Sequence, residues 1–235
     1  MDSGEAVPVA VVTGAASGIG SYVAHELTDA GWAVAGLDLH EAQGLAASYT
    51  VDMHDADAVL RVVDQVTKRL GPIRAAVSAA GHYEMTPVSE IGHDQWNRML
   101  RVHLGGFINL TRAVAPSMRA GGGGAIVAIA SELAIGGGDR DAHYGAAKGA
   151  VLGAVRSVAL EMIGDGIRVN AVAPGPTDTP LLAHDSPWRE DGFLATLPSR
   201  RLATPAEVSA TVRFLVERGT FCVGEVFGPN SGAVI

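Results

Sequence analysis

The stretch Val9-Ala-Val-Val-Thr-Gly-Ala-Ala-Ser-Gly-Ile-Gly20 decides the fold. Its opening run of β-branched and small apolar residues reads as a buried strand. Three glycines, Gly14, Gly18 and Gly20, then open a turn that leads into a helix. Glycine lets the chain turn sharply and lets a ligand approach the main chain. The first helical turn adds unpaired N–H groups and the positive end of the dipole, a setting that suits a pyrophosphate. The spacing, with Thr13 ahead of the first glycine, departs from the common G-x-G-x-x-G fingerprint. A glycine-rich strand end can also be a plain turn, so its meaning rests on the residues C-terminal to it.

Gly18 to Ala30 carries Ile19, Val23 and Leu27 at helical spacing, and Gly31 sits where a C-terminal cap belongs. Trp32 to Asp38 reads as a second buried strand. Two strands around one helix form a βαβ unit, which demands a right-handed crossover and a parallel sheet. Further strands are expected over Tyr49–Val51, Ile73–Ala79, Ala125–Ser131, Ile167–Ala173 and Val223–Phe227. Helices are expected over Ala56–Leu70, His93–Ala120, Ala142–Ile163 and Pro205–Arg218, the last with Thr204 as N-cap. Pro116 predicts a kink or an early end in the second of these. Gly121 to Gly124 reads as a flexible turn within one domain, because a buried strand resumes at once. The alternation specifies an α/β fold: a single doubly wound, Rossmann-like domain over 1–235 with a mostly parallel seven-stranded sheet.

With 235 residues, 48% of them hydrophobic, the chain can bury a substantial core as one domain. A net charge of −8 and the lack of any Lys/Arg run make nucleic acid and anionic membranes poor partners. The single cysteine, Cys222, excludes an internal disulfide framework and fits a reducing compartment. The acidic start Met-Asp-Ser-Gly-Glu lacks the cationic beginning of a secretory signal. No apolar run reaches the roughly 18–20 residues of a membrane helix. The expectation is a soluble cytoplasmic protein. The histidines show no metal-ligand spacing, so no metal site is expected.

Asp38 closes the second strand, where a doubly wound sheet sets a carboxylate beside the adenosine ribose. That charge repels a 2′-phosphate, and neither Ala15, Ala16 and Ser17 nor Leu39 supplies a compensating cation. The inference is NAD over NADP, against the plainer alternative of a turn-capping Asp. Tyr144-Gly-Ala-Ala-Lys148 puts a phenol and an ammonium on one helical face. The cation is expected to lower the tyrosine pKa, so that the phenol can exchange a proton with an alcohol or carbonyl oxygen. Ser131, at the end of the preceding strand, can hold that oxygen. Small residues around the pair (Gly145, Ala146, Ala147, Gly149, Ala150) predict close packing against this helix.

Together these clusters resemble the short-chain dehydrogenase/reductase family over essentially the whole chain. Thr13-Gly14-x-x-x-Gly18-Ile19-Gly20 matches its cofactor motif, and Ser131, Tyr144 and Lys148 match its catalytic serine, tyrosine and lysine. Arg168-Val-Asn-Ala-Val-Ala-Pro174-Gly175-Pro-Thr-Asp-Thr179 looks like the segment that holds the nicotinamide end, and Asp52 and Met53 fall at the adenine contacts. The resemblance implies an NAD site formed by Gly14, Ser17, Gly18, Ile19, Gly20, Asp38, Asp52 and Met53. Ala80, Gly81, Tyr144, Lys148, Pro174, Gly175, Thr177 and Thr179 would complete it. It also implies hydride transfer between NAD and a secondary alcohol or ketone, a homotetramer paired through the helices from His93 and Ala142, and a substrate lid around 181–203. The pattern looks somewhat like members acting on cyclic diols and hydroxy acids. Two other readings stand beside it: an NADP-linked carbonyl or acyl-thioester reductase, and a dinucleotide sensor without turnover.

Two positions depart from the family. Ser78-Ala79-Ala80-Gly81 replaces Asn-Asn-Ala-Gly, so an amide that braces the sheet is missing. His103 stands where the tetrad asparagine belongs, and it is expected either to keep a proton relay that titrates near neutral pH or to satisfy backbone at a helix bend. His82 and Tyr83 lie beyond a strand's carboxyl end, on the ligand side. His143, adjoining Tyr144, is expected at the surface. Glu132, Arg140, Arg189, Arg200 and Arg201 are loop charges that either bind a polar or carboxylate-bearing substrate or are merely solvated.

Overall fold

Val9 and Val11 of strand β1 (Val9–Thr13) feed one hydrophobic core, while Ala10 and Val12 feed another. That is the period-two alternation of a strand buried on both faces. The computed structural model describes residues 6–234; the acidic start read from the sequence lies outside the described residues. Strands β2 (Ala33–Asp38) and β4 (Ile73–Ser78) flank β1, and β3 (Ala47–Thr50) lies outside β2. β5 (Gly124–Ile129), β6 (Ile167–Val172) and β7 (Val226–Phe227) complete the order β3-β2-β1-β4-β5-β6-β7. Every pairing is parallel, so the sheet is wholly rather than mostly parallel. The chain leaves β1 toward β2 and returns on its other side with β4. A crevice therefore opens above the carboxyl ends of β1 and β4, where ligands bind in such sheets.

Helices α1 (Gly18–Asp29) and α8 (Pro205–Glu217) cover one face through Val23, Leu27, Val208, Val212 and Leu215. α2 (Ala56–Leu70), α4 (Gly106–Ala120) and α6 (Ala142–Met162) cover the other. The expected Thr204 cap is present as a capping box: its hydroxyl accepts from the Glu207 amide, and the Glu207 carboxylate accepts from the Thr204 amide. Short helices α3 (His93–Leu100), α5 (Leu133–Gly136) and α7 (Asp191–Leu194) lie in the connections.

Two elements differ from expectation. The helix read over His93–Ala120 breaks at a π turn, Arg101–Gly105, between α3 and α4, and Pro116 sits inside α4 without ending it. The wider π turn brings His103 into the interior. The last strand is only two residues long, and ahead of it the Asn170 side chain adds to the main-chain bonds that Gly224 and Glu225 make with β6. Its amide donates to Cys222 O and its carbonyl accepts from Glu225 N.

Candidate active site

Main chain builds the β1 end of the crevice. Gly14 and Gly18 hold left-handed conformations, φ 68° and 54°, which side chains rarely adopt. A Cβ on Gly14 would stand 2.8 Å from Ala80 N, so nothing larger than glycine lets the turn lie against the end of β4. Thr13 Oγ1 accepts from the amides of Ala79 and Ala80 at 3.0 and 3.1 Å. A hydroxyl on β1 thus fastens the two strand ends where the family's Asn-Asn pair is missing. Asp38 accepts from Ala16 N and from His40 N, each at 3.0 Å. The capping role is therefore real, and each carboxylate oxygen keeps a further lone pair toward the crevice. Asp52 and Met53 lie at the same end, with Met53 O held by Asn109 at 2.9 Å.

One cavity of about 870 Å³ runs from these residues to Ser131, Tyr144 and Lys148. Gly14, Ser17, Gly18, Ile19 and Gly20 line it at the turn, with Asp38, Asp52 and Met53 beyond. Ala80, Gly81, Pro174, Gly175, Thr177 and Thr179 line its middle. Every residue singled out for the cofactor therefore faces one continuous space. A glycine cradle with free amides, a carboxylate at one end and a phenol–ammonium pair at the other fit an extended dinucleotide.

Tyr144 and Lys148 sit one turn apart on α6, both buried. Lys148 Nζ lies 5.7 Å from the phenol ring and donates to Ile129 O at 2.7 Å. Packing against this helix is as close as its small residues predict: a Cβ on Gly145 would stand 3.2 Å from Leu133 O of α5. The electrostatics differ from expectation. Burial, reinforced by Glu132, pushes the Tyr144 phenol well above its ordinary value, and burial pulls the Lys148 ammonium down to about 7. Desolvation outweighs the stabilisation expected from the neighbouring cation. Tyr83 and His103 enclose the ring edge-on, at centroid distances of 5.0 and 5.5 Å. Ser131 Oγ accepts from Leu133 N at 3.2 Å and donates to Glu132 Oε2 at 3.3 Å.

His103 pairs its Nε2 with His82 O at 2.9 Å, which puts the hydrogen on Nε2. Its ring packs so tightly on Gly81 that any Cβ there would overlap Cε1. Burial first, then Lys148, holds its pKa well below the ordinary value, so the expected titration near neutral pH is not supported. The ring braces the π turn against the β4 loop.

His143 overturns its surface expectation: it is only 1% exposed, with Nε2 3.4 Å from Glu84 Oε1. Adjacent helical residues do point apart, but the β4 loop covers the side facing away from Tyr144. Of the loop charges, Arg189 is spent on Asp178 and on the carbonyls of Leu182 and Ala183, and Arg201 on Glu207. Arg140 and Arg200 occupy left-handed turn positions. Glu132 alone of this group lines the cavity. Trp188 escaped the sequence reading. Its indole donates to Tyr83 OH at 2.8 Å and lines the cavity with Leu181 and Leu182. The signal was Ser186-Pro-Trp, in which Ser186 Oγ caps the turn by accepting from Trp188 N. Among the described residues no cluster has metal-ligand geometry, and no helix is long and apolar enough to cross a membrane.

A parallel doubly wound sheet with a glycine turn at its switch point defines a Rossmann-like α/β protein. A family model described as "Enoyl-(Acyl carrier protein) reductase" matches residues 14–233. The chain is 36% identical over 237 residues to cis-4-hydroxycyclohexanecarboxylate dehydrogenase of Sinomonas cyclohexanicum, covering 95% of each chain. It is 31% identical over 240 residues to a 3-oxoacyl-[acyl-carrier-protein] reductase of Thermotoga maritima, covering 97% of this chain and 98% of that one. The structure of ligand-free aldohexose dehydrogenase from Thermoplasma acidophilum superposes with a TM-score of 0.90 at 28% identity, covering 96% and 93% of the two chains. The chain belongs to the short-chain dehydrogenase/reductase family, whose dehydrogenases use nicotinamide dinucleotides, and it is an oxidoreductase.

Proposed function

We propose that the protein is an NAD-dependent dehydrogenase that interconverts a secondary alcohol and its ketone, with cyclic diols and hydroxy acids as the first substrates to try. The observation that carries this is the convergence of Ser131, Tyr144 and Lys148 on the cavity that begins at the glycine turn. Bound NAD supplies the acceptor for the hydride of the alcohol carbon. The amides of the Gly14–Gly20 turn hold the pyrophosphate, and Asp38 accepts hydrogen bonds from the ribose hydroxyls and repels a 2′-phosphate. Asp52 and Met53 border the adenine, while Thr177, Thr179 and the Pro174–Gly175 turn border the nicotinamide end.

Ser131 Oγ fixes the substrate oxygen. Tyr144 Oη takes the proton of the alcohol, or returns it to the carbonyl in reverse. Lys148 orients the nicotinamide ribose and supplies positive charge when the phenol ionises. His103 acts through position, holding the β4 loop and π turn against Tyr144. Residues 181–203 form a lid carrying Trp188, and α4 and α6 pair between subunits of a homotetramer.

A second reading, an NADP-linked acyl-thioester reductase, draws on the Thermotoga relative, and the carboxylate of Asp38 weighs against it. The test is kcat/KM with NAD and with NADP across a panel of secondary alcohols and diols, read at the absorbance of reduced nicotinamide. Higher efficiency with NAD is the expected result. Equal or greater efficiency with NADP overturns the cofactor assignment. Nucleotide binding without turnover of any substrate favours a sensor.

A further inference from the structure

Glu132 is 8% exposed, yet its carboxyl reaches the cavity beside the proposed catalytic pair. Its backbone is pinned, donating to Pro174 O at 3.1 Å while its carbonyl accepts from Ile135 N and Gly136 N. The side chain folds back to Ser131 Oγ at 3.3 Å. Among the described residues no cation lies within ion-pair distance of it. Burying an unpaired carboxyl costs stability, and burial lifts this one to about 7. A costly group kept beside a reacting centre points to recognition.

We propose that Glu132 selects the substrate by binding a hydroxyl on the carbon next to the one oxidised, so that the preferred substrates are vicinal diols and polyols. The inference rests on the dehydrogenase reading of the same site. Ser131 Oγ is the anchor for the reacting oxygen, and a vicinal hydroxyl lies one hydrogen-bond length from that oxygen. Glu132 Oε2 stands at the matching distance from Ser131. As a carboxylate it accepts from the second hydroxyl; as an acid it donates to it. Above about pH 7, where Glu132 is ionised, a carboxylate in place of that neighbouring hydroxymethyl group meets it as a like charge. Hydroxy acids whose acid group is adjacent to the alcohol are therefore disfavoured at that pH, while those with a remote acid group are not. Leu181, Leu182 and Trp188, which line the same cavity, supply apolar surface for the carbon skeleton.

Isopropanol, propylene glycol and lactate form a matched series, differing only in a methyl, a hydroxymethyl or a carboxylate on the carbinol carbon. Oxidation of each takes the carbon-bound hydrogen as hydride to NAD and releases the hydroxyl proton, giving a ketone. For the wild type we expect kcat/KM for propylene glycol to exceed that for isopropanol by about tenfold or more, the worth of one hydrogen bond to a buried charged group. Lactate, assayed with the others about one pH unit or more above 7 so that Glu132 is ionised, should fall below isopropanol. In Glu132→Leu the glycol-to-isopropanol ratio should collapse toward one. In Glu132→Gln that ratio should persist within a few fold, while the lactate-to-isopropanol ratio rises by about tenfold, a change that mere loss of packing would not produce. Equal wild-type efficiency on glycol and isopropanol, or a preference unchanged in Glu132→Leu, overturns this inference alone. Oxidation of none of the three, nor of vicinal cyclohexanediol or cyclohexanol, overturns both it and the dehydrogenase reading.

Discussion

The two ends of the cavity are made of different materials. At the β1 end the contacts are main chain: glycines that no side chain can replace, amides turned toward the crevice, and one carboxylate at a strand tip. At the α6 end they are buried or half-buried ionisable side chains. His82, Tyr83, His103, Glu132, Tyr144 and Lys148, and Asp141 outside the cavity lining, are all displaced from their ordinary pKa values, with burial the largest cause for each. A shape set by backbone is indifferent to pH and intolerant of an added atom. A dry cluster of acids and bases responds to charge as well as to shape. That division suits holding a constant ligand at one end and performing proton chemistry at the other.

The largest effect tests the chemical end. Tyr144→Phe removes only the oxygen of a ring that Tyr83 and His103 already hold in place. We expect kcat to fall by about a thousandfold, the scale of a lost general acid–base, with nucleotide affinity from fluorescence titration unchanged within a few fold. Turnover that survives would break the distinction drawn between the two ends. Gly14→Ala probes the other material. The new methyl meets Ala80 N at a φ of 68°, strain worth about 1–3 kcal/mol. The expected result is nucleotide affinity weaker by about 100-fold at every pH tested.

Asp38→Asn keeps an acceptor for one of the two turn amides, those of Ala16 and His40, and removes the charge. The NADP-to-NAD ratio of kcat/KM should rise by about 100-fold, about 3 kcal/mol of relieved repulsion. An unchanged ratio would mean that the carboxylate only caps the turn.

The same division explains what was legible in the residues alone. The glycine turn, the β-branched strands and Tyr144 with Lys148 are local patterns, in which spacing alone sets direction. The seven strands and the principal helices were therefore readable, as was the meeting of Ser131, Tyr144 and Lys148 in one crevice. What failed depended on neighbours distant in sequence. His143 is buried because the β4 loop covers it, and the helix from His93 breaks because a π turn accommodates His103 against Gly81. The pKa order reversed at Tyr144 because spacing reports the nearby ammonium and says nothing of how much water is excluded.

Glu132 lets that excluded water be measured as stability. Its folded-state pKa, about 7, lies above the ordinary 4.5. Between those values the native state holds a proton that the unfolded chain has released, so stability is full below about pH 4.5 and is lost as pH rises through 7. Asp141 adds to the upward shift and Ser131 opposes it. Glu132→Gln carries no proton to lose. Its Tm should exceed that of the wild type by about 5 °C above pH 7, corresponding to about 2 kcal/mol, and the gap should close toward pH 4.5. A gap that is constant with pH would mean that the carboxyl is better hydrated than its burial implies.

The smallest effect concerns His103, where the proton relay and the structural brace make opposite forecasts. If the ring titrated near neutral pH, replacing it by the family's asparagine would erase an inflection between about pH 6 and 7 from the kcat/KM profile. The contacts argue otherwise. Nε2 is committed as a donor to His82 O, and Nδ1 finds no partner among the described residues. Burial and the charge of Lys148 both oppose the imidazolium. The ring stays neutral across the working range, so the two profiles should superimpose within about 0.3 pH unit, both governed by groups that the substitution leaves in place. What the variant should lose is packing against Gly81 and His82, a destabilisation of about 1 kcal/mol and a Tm lower by about 3 °C. A displaced inflection with an unchanged Tm would move His103 from the brace to the relay.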